Sequence, residues 1–266
     1  MALVKPFSAY RPRKDIVSQV AALPYDVYNR AEAKAEVETH PLSFLRIDRA
    51  ETSFDDSVDT YAPCVYQKAK ELLDSMIANG EYIKEKQDIY YIYELTMNGR
   101  HQTGIVACAT IDDYENGIIK KHENTREDKE LDRINHVDIC NAQTGPIFLA
   151  YRAVSEIDSV VSRICEGKPE YDFISEDGIG HRVWLIADFA DICTIRDGFS
   201  AMNQIYIADG HHRAASAVKV GIKRRKENPA HRGDEEYNYF LSVLFPHNQL
   251  KILPYNRVIS DLNGNT

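Results

Sequence analysis

Asp209, Gly210, His211, His212 and Arg213 place a carboxylate, two imidazoles and a guanidinium in five consecutive positions. The stretch before them, "QIYIA", reads as a strand, and Ala214, Ala215, Val218 and Ile222 recur after them at roughly helical spacing. Gly210 frees the backbone to turn between the two, so His211 to Arg213 fall in a first helical turn. Amides there have no intrahelical partner, and the helix dipole favours negative charge. His212 and Arg213 add donors, and a guanidinium can grip two phosphate oxygens. The arrangement suits a nucleotide polyphosphate. Asp209 has three chemistries open to it: capping the helix, holding a divalent cation such as Mg2+, or accepting a proton. The bland alternative is a capping aspartate beside two ordinary histidines at a sheet edge. A zinc site drawn from His211 or His212 with His122 and His136 lacks any HExxH or Cys/His spacing.

A second concentration of charge runs through residues 120–138, "KKHENTREDKELDRINHVD". Phosphoryl transfer needs cations around the oxygens and a carboxylate to orient the attacking hydroxyl. Glu123 is the candidate carboxylate, and Lys121, His122, Arg126, Arg133 and His136 are candidate clamps on phosphate or on a substrate carboxylate. The competing reading is a solvated helix with routine ion pairs. In "LPYDV", Pro24 fixes a turn after an apolar strand and leaves Tyr25 and Asp26 at its end as substrate contacts, unless Asp26 is only a turn or cap residue. In "NAQTGP", Thr144 and Gly145 fall near the same cleft, although Gly-Pro is also turn punctuation. Lys223, Arg224, Arg225 and Lys226 complement the dipole at the far end of the helix after Arg213, a structural role rather than DNA contact.

The elements that position these residues are readable from periodicity. Asn29 followed by Glu32 is a capping-box pattern opening a helix that stops before Pro41. "PLSFLRID" reads as a strand. Val65, Ala69, Leu72, Leu73, Met76 and Ile77 predict a helix closed by Gly80. The stretches on either side of Asn98-Gly99 predict an antiparallel pair over 89–111. "GPIFLAYR", "RVWLIAD" and "NQIYIAD" read as strands, and "SEIDSVVSRICEG" as a helix capped by Ser155 with Ile157, Val160, Val161 and Ile164 inward and Gly167 as its stop. Mixed hairpins and helices predict an α+β fold with a mixed β-sheet and flanking helices.

The 266 residues suffice for a substantial core, and 44% hydrophobic content excludes whole-chain disorder. A net charge of −9 repels a phosphate backbone, so nucleic-acid binding would need a local basic patch and is not expected. The five cysteines form no CxxC pair, which reads as reduced thiols. The first residues carry no apolar signal region, and no run approaches the ~18 apolar residues of a membrane span. A cytoplasmic protein with no membrane partner is expected. "KILPYNRVISDLNGNT" reads as a strand ending in a polar turn, which leads us to expect a single domain over 1–266 that is the N-terminal part of a longer protein.

The "DGHHR" box at a strand-to-helix turn resembles the phosphate-binding box of the ParB/sulfiredoxin superfamily, which includes enzymes that phosphorylate free L-serine with a nucleotide donor. "ALPYDV", "HPLSFLRIDR", "IKKHENTREDKELDRINHVD", "NAQTGPIFLAYR" and "IADGHHRAASA" together resemble a bacterial and archaeal family known as domain of unknown function 1015, whose members are usually longer. The resemblance implies a ParB/sulfiredoxin-like nucleotide-binding core with Asp209 to Arg213 on the phosphates and metal, and an acidic base from another segment. The expectation is a kinase using ATP or ADP with Mg2+, passing a phosphate to the hydroxyl of a small metabolite, foremost free L-serine, with Glu123 and Asp209 catalytic. It is a possible homo-oligomer. The second reading is a ParB-like nucleotide-binding switch or partner-binding module without kinase activity. A sulfiredoxin-like reductase is disfavoured because "DGHHR" contains no cysteine.

Overall fold

The computed structural model describes residues 1–254, 256, 258–261 and 263, with Asp128 described by its backbone alone. Stretches rich in β-branched and aromatic residues form strands: Val4–Lys5 (β1), Tyr10–Pro12 (β2), Tyr82–Lys84 (β3), Tyr90–Met97 (β4), Arg100–Thr110 (β5), Ile119–Lys120 (β6), Ile147–Tyr151 (β7), Tyr171–Ile174 (β8), Gly180–Ile186 (β9), Ile205–Asp209 (β10) and Tyr239–Pro246 (β11). Nine of these join one sheet in the order β6-β10-β7-β11-β5-β4-β9-β8, with β1 alongside β5, while β2 and β3 pair separately. The β10–β6 and β11–β7 pairs are parallel and the rest antiparallel, so the sheet is mixed. The β4–β5 hairpin turns on Asn98 (φ 51°) and Gly99 (φ 75°), the left-handed pair that a two-residue turn requires.

The helices are Val17–Val20 (α1), Arg30–Thr39 (α2), Leu45–Asp48 (α3), Pro63–Ala78 (α4), Ile111–Glu115 (α5), Glu127–Cys140 (α6), Ser155–Cys165 (α7), Phe189–Ser200 (α8) and His211–Glu227 (α9). The Asn29–Glu32 capping box is formed reciprocally at the start of α2. Pro63 opens α4, the stripe Val65, Ala69, Leu73 and Met76 is buried, and Gly80 (φ 71°) follows its end.

Two apolar clusters result. One face of the large sheet, including Ile92, Ile105, Leu149 and Ile207, is buried with Ile157 of α7, Phe199 of α8 and Ala214 and Val218 of α9. The run of alanines lets α9 lie close to the strands. A second cluster joins Val20 of α1, Ile47 of α3 and the inner stripe of α4 to Cys140 at the end of α6. Since α6 packs against both α9 and α4, it spans the boundary between the clusters.

Several expectations are corrected. "PLSFLRID" contains a helical turn, α3, rather than a strand: the Phe44 amide bonds the Val20 carbonyl at 2.9 Å, Ser43 Oγ accepts the Leu45 amide, and Leu45 and Ile47 are buried without a strand partner. The stretch before Pro24 holds the short helix α1, not a strand, and Tyr25 and Asp26 lie in the 3-10 turn Tyr25–Val27. Ser155 occupies the first turn of α7 without capping it, and its hydroxyl bonds the Glu156 carboxylate instead. Residues 251–254 are irregular and exposed rather than a strand. The rest of that reading includes Tyr255, Arg257, Leu262 and 264–266, which lie outside the described residues. The closing strand is β11, and α8, capped by the Asp188 carboxylate, also went unread. No described helix is long and apolar enough to cross a membrane.

Candidate functional site

Strand β10 ends irregularly. Ile207 pairs with Leu149 and Asp209 with Phe148, so Ala208 is an extra residue on this strand. Next, Gly210 adopts φ 90°, a conformation other residues rarely take, and α9 begins at His211. No side chain caps this helix: the N-cap is Gly210, and Asp209 instead receives a hydrogen bond from Arg213 Nη2 at 2.7 Å. Arg213 also donates to the Pro146 carbonyl. A side chain at Gly210 would meet the Arg213 guanidinium at 3.1 Å. The first turn of α9 thus ends in a guanidinium held between a strand end and the 144–146 loop, beside an Asp209 carboxylate that is 71% exposed.

Segment 121–126 lies against this turn. The rings of His122 and His211 meet edge to face, with centroids 4.4 Å apart. His211 Nδ1 is 3.4 Å from the Glu123 carboxylate, and Arg126 N–H donates to His212 Nε2 at 3.1 Å. Thr125 donates to Glu130, which Lys219 also holds. Burial and the neighbouring His122 lower the His211 pKa, against the opposing pull of Glu123 and Asp209, which favours the neutral ring. Burial works against the Glu130 carboxylate, yet hydrogen bonds from Lys219 and Thr125 lower its pKa. Lys121 is directed elsewhere, its ammonium 4.1 Å from the centre of the Tyr114 ring.

The polar face of α6 forms the other half of the constellation. Arg133 and His136, read as candidate clamps against the alternative of a solvated helix face, are 8% and 3% exposed. The Arg133 guanidinium lies 4.2 Å from the centre of the Tyr25 ring and bonds Asp132 at 2.8 Å. Burial opposes its charge, but Asp132, Tyr25 and Asp48 hold the pKa above the ordinary value. His136 Nε2 contacts the Ile47 carbonyl at 3.2 Å and lies 3.8 Å from Asp48, while its Nδ1 is buried without a partner among the described residues. Burial lowers the His136 pKa, with Arg133 adding to the effect against Asp48. Thr144 donates to Asp48 at 2.9 Å.

The 144–146 loop links the halves, because Thr144 bonds Asp48 while Pro146 receives Arg213. Burial raises the Tyr25 pKa, and Arg213 as well as Arg133 pulls it down, so the Tyr25 turn lies within electrostatic reach of the α9 terminus. Asp26 is exposed beside it. Of the residues singled out by sequence, Glu123, His122, Arg126 and the "DGHHR" turn assemble directly, Tyr25, Arg133, His136 and Thr144 form the adjoining group, and Lys121 points away. Unread were Asp48, Asp132 and Glu130, which hold these groups, and Arg49, whose guanidinium donates to the Tyr25 and Tyr28 carbonyls. Among the described residues no three His, Cys, Asp or Glu side chains gather as a metal site. Mg2+ bound mainly by phosphate and water oxygens needs only one or two carboxylates, and exposed Asp209 fits that demand.

These features define an α+β protein with a large mixed sheet flanked by helices, in which α9 starts at a glycine without a side-chain cap. The chain belongs to the family described as "Protein of unknown function (DUF1015)", which matches residues 4–266. No curated protein and no solved structure matches it.

Proposed function

We propose that this protein is a nucleotide-dependent small-molecule kinase transferring the terminal phosphate of ATP or ADP to a hydroxyl, with free L-serine the foremost acceptor. The observation that carries the reading is the first turn of α9, which no side chain caps: left-handed Gly210, amides with no intrahelical partner, and Arg213 braced by Asp209 and the Pro146 carbonyl. Amides and guanidinium there bind phosphate oxygens. Mg2+ at Asp209 would neutralise charge on those oxygens. Glu123 accepts the proton of the acceptor hydroxyl, whose oxygen bonds the terminal phosphorus as the bond to the leaving nucleotide breaks. Arg133, which stacks on Tyr25, would pair with the substrate carboxylate. The resemblance of "DGHHR" to the box of free-serine kinases supports the acceptor.

The test is incubation with labelled ATP or ADP, Mg2+ and a panel of hydroxy amino acids. Phosphoserine is expected, and absence of transfer to every acceptor overturns the kinase reading. Nucleotide-dependent thermal stabilisation without product would favour a ParB-like binding switch instead.

A further inference from the structure

His212 Nε2 accepts the Arg126 amide. A ring nitrogen that accepts a backbone N–H carries a lone pair and no proton. Once protonated, it presents N–H against N–H, and the contact becomes repulsive. The same nitrogen cannot give a proton to a phosphate oxygen while it takes one from the segment. We propose that residues 121–126 form a gate over the α9 terminus, latched on His212 Nε2 and released either by protonation of His212 or by a polyphosphate arriving at that turn. The second trigger rests on the phosphate site proposed above, and the first does not.

The surroundings fit a hinged strap. Next to the latch, Thr125 is pinned to Glu130, which is 5% exposed and held by Lys219, so the hinge lies at that end and the part that swings is residues 121–124. The strap's other end is held by side-chain contacts, the edge-on His122–His211 pair, Glu123 3.4 Å from His211 and Lys121 over the Tyr114 ring, while the His122 amide lies 3.5 Å from His211 Nε2, too long for a strong bond. The titratable and charged groups facing His212 are Glu130 from α6, itself paired with Lys219 of α9, His211 from α9, and Arg126 from the segment, with Asp209, His122 and Glu123 facing His211 beyond. Because Glu123 rides on the strap, opening it also withdraws the candidate base from its place 3.4 Å from His211.

Amide hydrogen exchange tests the gate, as protection factors corrected for intrinsic rates from about pH 8 to about pH 5. In the wild type, Arg126 protection should fall about fivefold on acidification while β5 amides stay unchanged. His212→Ala and His212→Asn should show the weakened value at every pH. Arg126 protection that is level across the series, or a His212→Ala variant as protected as wild type, overturns the latch. At about pH 8, inorganic tripolyphosphate should lower Arg126 protection without acid. Tripolyphosphate that binds by calorimetry yet leaves Arg126 protected overturns the anion trigger. Tripolyphosphate that does not bind removes the phosphate site and that trigger together, and the proton latch is then decided by the pH series.

Discussion

At the scale of single residues, the constellation separates binding from turnover. Arg213 braces the α9 turn, so Arg213→Ala should weaken nucleotide binding about tenfold or more by calorimetry, since hydrogen bonds to charged groups contribute about 1.5–3 kcal/mol. Glu123→Gln keeps size and polarity but removes the proton acceptor, so it should spare binding and abolish transfer. Equal behaviour of the two variants would deny them separate roles. The buried rings of His136 and His211 set a second expectation, because both have pKa values lowered from 6.5. The unfolded chain takes up these protons at higher pH than the folded one, so stability is full above about pH 6.5 and falls as pH drops through the depressed values. The urea midpoint should therefore decline on acidification below about pH 6.5, and a level or rising midpoint contradicts this.

Among the elements, α9 depends on two glycines for different reasons. Gly210 supplies the left-handed φ that starts the helix, and Gly210→Ala should cost about 1–2 kcal/mol while crowding Arg213. Gly221 has the Tyr237 carbonyl oxygen and the Ile111 side chain where a Cβ would stand, so Gly221→Ala should cost about 1–3 kcal/mol in denaturant midpoints without altering phosphate binding. Helices with strong local signals were legible: the α2 capping box, the α4 stripe and the Gly210 turn needed no tertiary information. The α3 turn was misread because Leu45 and Ile47 alternate as in a strand, and α4 supplies the burial that decides otherwise. For α6, the sequence left a solvated face open beside the reading of Arg133 and His136 as clamps; a helix packed on two neighbours buries Glu130, Arg133 and His136 and gives them Thr125, Asp132 and the Ile47 carbonyl as partners, with His136 Nδ1 left over. Nothing in local charge patterning carries that information.

For the molecule as a whole, α6 joins the two apolar clusters, so they should melt together. Trp184 is the only tryptophan and is buried in the sheet cluster, whereas the α4 cluster holds no tryptophan and is built mainly from helices. Tryptophan fluorescence and far-UV circular dichroism should then give coincident urea transitions, and a helical signal lost first would mean that the clusters unfold separately. The mixed sheet was legible in class but not in order, since β11 was unread and the pairing of β7 between β10 and β11 is set by distant contacts. The surplus residue at the end of β10 has a final consequence. Because Ala208 goes unmatched, Asp209 shares the side of Phe148 instead of following Ile147 into the oily interior. Ironing out that kink would drive an ionised carboxylate into hydrocarbon, so the strand is kept crooked by the same acid whose outward aim the crookedness secures.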